Sequence, residues 1–132
     1  MPFFKVSIDE MEYDSRSMGR GEHFLFYLFW YINKCNSGTI VIIEEPETYI
    51  SICSQIHFSN YLGKQIAEKG IQVIVTTHSP FLLEHIRNSN IRIVSRMGNI
   101  AMITKPDDDM MAEDILGITQ SYAGTLFVED RV

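Results

Sequence analysis

An α/β fold with parallel strands at its centre is predicted by three features of this 132-residue chain. Thr39-Ile40-Val41-Ile42-Ile43 is an unbroken apolar or β-branched run, and Ile71 to Thr77 is a second, interrupted only by Gln72. Between them the apolar positions Ile52, Ile56, Leu62 and Ile66 recur at near-helical spacing, with Gly70 as the stop, which predicts a helix over 52–68. Strand, helix and strand in that order make a βαβ crossover, whose strands are parallel neighbours or near-neighbours. A continuous apolar strand suits a sheet covered on both faces, and ligands of such sheets sit at the carboxyl ends of the strands. Both runs end there in polar residues: Glu44-Glu45-Pro46-Glu47 after the first, Thr77-His78-Ser79-Pro80 after the second.

The remaining elements follow in order. Residues 3–8 read as a short strand and the acidic stretch to Ser17 as a loop. The run Phe24 to Ile32 is apolar at every position, so periodicity does not separate helix from strand; its length and the preceding glycines favour a buried helix over 22–34, ended by Asn36-Ser37-Gly38. Ser79 suits an N-cap, with Pro80 as the first residue of a helix over 80–87. Residues 91–96 and 100–104 flank Gly98-Asn99, a pair suited to a tight hairpin turn. Acidic residues at 107–109 suit the start of a helix over 109–116, and Thr125 to Asp130 reads as a strand running into acid.

With 45% hydrophobic residues the chain carries one domain's worth of core, and a net charge of −6 argues against coating nucleic acid by charge alone. The longest apolar run is about half of the roughly 20 residues a membrane-spanning helix needs, so no membrane segment is expected. Two cysteines, Cys35 and Cys53, and no charged leader before an apolar region fit a reducing cytoplasm.

Adjacent carboxylates at a strand end should point to opposite faces unless the turn begins between them, and so suit separate tasks. One can hold the water shell of a magnesium ion while the other orients an attacking water; the plain alternative is a solvated acidic turn. His78, at the end of the neighbouring strand, could hydrogen-bond a terminal phosphate, or simply cap the next helix. Gly19-Arg20-Gly21-Glu22 ahead of a helix could offer backbone N–H groups to a phosphate, or only make a turn. Cys53 and His57 lie four apart on a helix but lack a second pair of ligands, so a buried thiol and a surface imidazole are expected. No G-x-x-x-x-G-K-[ST] run is present: Phe58 stands at the first glycine of the one Gly-Lys pair, Gly63-Lys64, and Gln65 at the hydroxyl. The phosphate grip on ATP must therefore come from a segment before residue 1 or from another polypeptide.

Gly-x-Gly-Glu before a helix, an apolar strand into Glu-Glu-Pro-Glu and another into Thr-Thr-His-Ser-Pro together resemble the C-terminal half of an ABC-type ATPase head. The branch is that of SMC-like, RecF-like and OLD-family proteins, and the resemblance covers residues 17–87. It implies a parallel-stranded, RecA-like lobe with flanking helices and a short β-hairpin. Glu44 then looks like the Walker B acid acting on Mg2+ through water, Glu45 like the general base, and His78 like the switch histidine on the γ-phosphate. Gly19, Gly21 and Glu22 look like the signature loop completing the ATP site of a second copy in a head-to-tail dimer; the signature serine is either Ser17 or is replaced by Gly19. Residues 47–51 fall where the family has its dimer-contact loop, with Ser51 in place of the usual Asp or His. Thr125-Leu126-Phe127-Val128-Glu129 resembles the first strand of a Toprim nuclease domain, with Glu129 as a metal-site acid.

That order is the OLD-family arrangement found in antiviral effectors, retron-associated ones included. It implies an ATPase segment over 1–104, a linker helix over 105–124 and the start of a Toprim domain over 125–132, with ATP gating DNA cleavage in the full-length protein. The isolated chain is expected to be inactive. Competing readings are a non-catalytic dimerisation or scaffold module and a small metal-dependent hydrolase using Glu44, Glu45, Glu47 and His78.

Overall fold

Met11 and Tyr13 alternate with Glu12 and Asp14, a period of two, and the stretch expected to be a loop folds as a strand. In the computed structural model, which describes residues 2–117, β1 (Lys5–Ile8) and β2 (Met11–Asp14) pair antiparallel with Ile8 opposite Met11. Asp9, at φ 54°, opens the two-residue turn between them. Four acidic side chains in residues 9–14 hide this hairpin in the sequence. Its turn and outer face are solvated, so charge does not oppose it.

Helix α1 (Arg20–Lys34) starts two residues before the predicted 22. Its buried side chains, Leu28 and Ile32, lie four apart, and half-buried Phe24, Leu25 and Phe29 flank them. That spacing is a helical face, which the all-apolar sequence concealed. The first turn packs closely: a Cβ on Gly21 would overlap the carbonyl oxygen of Tyr49, whose ring stacks on Phe24 at 4.9 Å. Across the same turn the Tyr13 hydroxyl donates to the Glu22 carboxylate, tying β2 to α1.

Strand β3 (Ile40–Glu44) and β4 (Gln72–Thr76) pair in parallel, with Ile40 opposite Gln72 and Glu44 opposite Thr76. Helix α2 (Ile52–Lys69) connects them, and left-handed Gly70 (φ 64°) ends it by donating its N–H to the Ile66 carbonyl. This is the predicted crossover. Of the four predicted apolar positions of α2, Leu62 is buried and Ile56 half-buried, but Ile52 and Ile66 are exposed, and Gln55, Phe58 and Gln65 make up the rest of the buried face. Two glutamines buried at helical spacing carry no apolar signal.

The sheet is covered on one face by the described residues. Val41 and Ile43 join Leu28, Ile32, Phe58 and Leu62 in the core, while Ile40, Ile42 and Ile74 are more than half exposed. An apolar strand shows that a face can be buried, not which segment covers it. Helix α3 (Pro80–Leu83) ends four residues before the predicted 87, and Leu82 joins the core.

A first compact unit ends at Ile86 and a second begins at Arg87. In the second, β5 (Ile93–Met97) and β6 (Ile100–Thr104) form the predicted hairpin, with Met97 opposite Ile100 and Gly98 at φ 62°. Asn88 donates to the carbonyls of Asp107 and Met110, and α4 (Ala112–Ile115) is shorter than the predicted 109–116. The predicted strand over 125–130, with Glu129, lies outside the described residues. No helix among the described residues is long and apolar enough to cross a membrane.

Two outcomes follow from the contacts of α1. Gly21→Ala should destabilise the chain by about 1–3 kcal/mol in urea unfolding, because the methyl must displace the Tyr49 carbonyl. Gly19→Ala, with open space around it and φ −64°, meets no clash and should cost only the preference of glycine at the N-cap, about 0.5–1 kcal/mol. The Tyr13 phenol is held above the ordinary tyrosine range, first by its hydrogen bond to Glu22, then by burial and the nearby charge. A raised pKa favours the protonated phenol in the folded chain, so this contribution is complete below the unfolded tyrosine pKa and is lost as pH rises through the folded value. Carbon-13 titration of the tyrosine Cζ signals should show Tyr13 ionising late, and Glu22→Gln should bring its midpoint back toward that of free tyrosine.

Candidate functional site

Parallel pairing brings the carboxyl ends of β3 and β4 to the same level, and the polar residues after each strand meet there. The turn begins between the two predicted acids. Glu44 is the last residue of β3, and Glu45 adopts the left-handed conformation, φ 42° and ψ 55°. A non-glycine residue in that region costs on the order of 1 kcal/mol, and such residues concentrate at functional sites. The Glu45 N–H donates to the Thr76 carbonyl at 2.9 Å, holding the turn against the end of β4. Pro46, fully buried, starts a 3-10 turn over Pro46–Thr48.

The left-handed residue brings both carboxylates to one cleft. Glu44 and Glu45 line a cleft of about 580 Å³ with Thr48, Tyr49 and Thr76. His78 Nε2 lies 3.6 Å from Glu45 Oε1, with the side chains 84% and 56% exposed respectively. A contact so exposed contributes at most about 0–1 kcal/mol even when the imidazole is protonated, so it does not hold the fold together. Its interest is that a carboxylate and an imidazole meet at one sheet edge.

Glu47, placed by the sequence in the dimer-contact loop and, in one competing reading, beside Glu44, Glu45 and His78 in a metal-dependent hydrolase, is bonded to the His78 backbone. Its Oε1 accepts the His78 backbone N–H at 2.6 Å, a contact between residues 31 apart in sequence. Ser79 sits at the predicted N-cap position but does not cap through its side chain. Its hydroxyl donates instead to Gln55, which is 4% exposed and itself donates to the Ile50 carbonyl at 3.1 Å. A buried amide rather than a free helix end fixes this hydroxyl. The Ser79 N–H donates to Thr77 Oγ1.

The predicted signature residues cluster elsewhere, around the start of α1. The Ser17 N–H donates to the Asp14 carbonyl, Gly19 is the N-cap, Gly21 abuts Tyr49 and Glu22 accepts from Tyr13. They are not among the residues lining the Glu44–Glu45 cleft. A second cleft, about 390 Å³, lies beside them and is bounded by Arg20, His23 and Tyr27; Tyr49 lines both. Ser51 caps α2, with its hydroxyl 2.9 Å from that of Ser54. Cys53 is exposed, not buried as expected, and among the described residues no three His, Cys, Asp or Glu side chains converge where a metal ion could sit. A divalent ion that accompanies nucleotide phosphates needs only one or two protein carboxylates, so Glu44 and Glu45 fit magnesium in that setting.

Comparison with known proteins bears on this arrangement. No curated protein matches the chain. A structure solved in work on the ATP-driven dimerization and DNA-stimulated activation of SMC ATPases is similar, with a TM-score of 0.64 and 16% identity. The similarity covers 83% of this chain and 66% of that one, and at this identity it shows a shared α/β fold. Residues 3–83, which contain β1 through α3 and every described site residue, match the AAA ATPase domain, and the chain belongs to that family.

Proposed function

We propose that this chain is the Walker B and switch half of an ATP-hydrolysing head. The observation that carries the reading is the meeting of Glu44, Glu45 and His78 at the carboxyl edge of two adjacent parallel strands. ATP is the substrate, and a glycine-rich phosphate loop supplied from outside these residues cradles it. Glu45 accepts a hydrogen bond from water and orients it in line with the γ-phosphorus, so that the P–O bond to ADP breaks as the new P–O bond forms. His78 hydrogen-bonds the γ-phosphate oxygens, where negative charge must be stabilised. Glu44 would hold a magnesium ion through water, and that ion would supply the positive charge that accompanies nucleotide phosphates.

In the same reading Ser17, Gly19, Gly21 and Glu22 complete the ATP site of a second copy, head to tail. The wider role is OLD-like: ATP-driven closure of two heads in the cytoplasm gates DNA cleavage by a Toprim domain to which Glu129 belongs, in antiviral defence of the retron-associated kind. The division proposed is an ATPase part over 1–104, a linker over 105–124 and the first Toprim strand over 125–132. The family and the fold shared with an SMC ATPase support the ATPase part; the order of motifs in the sequence supports the rest.

Glu45→Gln in the intact protein, phosphate loop included, tests the base directly. Removing a general base should lower steady-state phosphate release by about 10²- to 10⁴-fold while ATP binding persists. Gln keeps the size of the side chain, so the turn at Glu45 should survive. Unchanged turnover would overturn the assignment.

A further inference from the structure

The imidazole of His78 is held by almost nothing of its own. It is 84% exposed, and its one polar contact among the described residues is at 3.6 Å, with a Glu45 side chain that is itself 56% exposed. Where the ring sits is therefore decided by the backbone beneath it. That backbone is fastened at two points. On one side the Ser79 hydroxyl donates to buried Gln55, and on the other the His78 N–H donates to Glu47 Oε1 at 2.6 Å. A bond this short to a carboxylate is of the charge-assisted kind, stronger than a neutral amide contact.

Glu47 is also not a solvated turn acid. The 3-10 turn that begins at buried Pro46 directs it back across the sheet edge, and its second oxygen, Oε2, is buried without a partner among the described residues. Burying a carboxylate oxygen in this way is unfavourable, and the bond to His78 is what the structure shows in return.

We propose that Glu47 is a positioning residue, whose carboxylate fixes the His78 backbone and so sets the imidazole beside Glu45 and the terminal phosphate. The inference rests on the hydrolytic reading for its chemistry, but the Glu47–His78 bond is independent of that reading. The turn after β3 thus carries three acids with different tasks: Glu44 toward the cation, Glu45 toward water and Glu47 toward the neighbouring loop. This bond adds a side-chain link between the two strand ends to the Glu45 N–H bond to Thr76.

Two measurements test it. Amide hydrogen exchange by NMR on the 132-residue chain should show the His78 N–H exchanging about ten-fold faster or more in Glu47→Ala, while Ile43 and Ile74 keep their protection. Glu47→Gln retains an acceptor oxygen and should restore most of the protection, which a loss of fold would not explain. Unaltered exchange in Glu47→Ala, or equal loss in the Gln variant, overturns the positioning role. In the intact protein, Glu47→Ala should lower kcat about ten-fold or more with little change in KM for ATP, and Glu47→Gln should recover it. A rise in KM alone would also overturn it. Failure of the hydrolytic reading shows separately, as turnover unchanged in Glu45→Gln.

Discussion

Parallel pairing of β3 with β4 is the constraint on which the rest of the site depends. Its register sets Glu44 opposite Thr76, and the Glu45 N–H extends the same ladder by one more bond. Both strands therefore end at one level, and residues more than 30 positions apart become neighbours. Were Glu45 to continue the strand, its side chain would follow the alternation to the face opposite Glu44, the face on which Val41 and Ile43 are buried. The left-handed backbone at Glu45 prevents this. Glycine would take that conformation without strain; in the proposed hydrolytic reading the glutamate is kept there for its carboxylate.

The second structural constraint lies at Tyr49. Its carbonyl leaves no room for any side chain at Gly21, its ring stacks on Phe24, and it borders both clefts. The start of α1 is thus seated on the loop that follows the two acids. A glycine that reads in the sequence as one suited to approaching phosphate has in this chain a packing reason to be glycine. The two reasons do not exclude each other, because the helix can only present its first turn to a ligand if that turn is firmly placed.

How much could be read from the sequence depended on how local the signal was. The unbroken Ile40–Ile43 run, the β-branched Ile71–Thr77 run and Gly70 between them carried the crossover, because strand pairing and helix termination are written in adjacent residues. Gly98-Asn99 carried the second hairpin in the same way. The β1–β2 hairpin was hidden by charge, although Met11 and Tyr13 alternate as a strand should. The face of α2 was read only in part because two of its four buried residues are glutamines, and Gln55 is buried for its bonds to Ser79 and Ile50 rather than for its apolarity. Glu47 was not legible as a partner of His78. Its role exists only across a sheet edge, and no spacing along the chain encodes it.

The exposure of the site explains why hydrolysis, as proposed, would depend on assembly. Two unit charges about 4 Å apart interact by about 1 kcal/mol in water and about 4 kcal/mol at the lower effective dielectric of a protein boundary. Glu45 and His78 are at 3.6 Å but largely in water, so the geometry is in place while the electrostatic setting is not. Stabilising charge on a terminal phosphate requires donors in a site from which water is excluded. Surfaces that close over the strand ends, from the phosphate loop on one side and the signature turn of a second copy on the other, would supply that exclusion. The reacting groups would then gain most of their strength on closure, which makes hydrolysis a consequence of two heads meeting rather than a property of one.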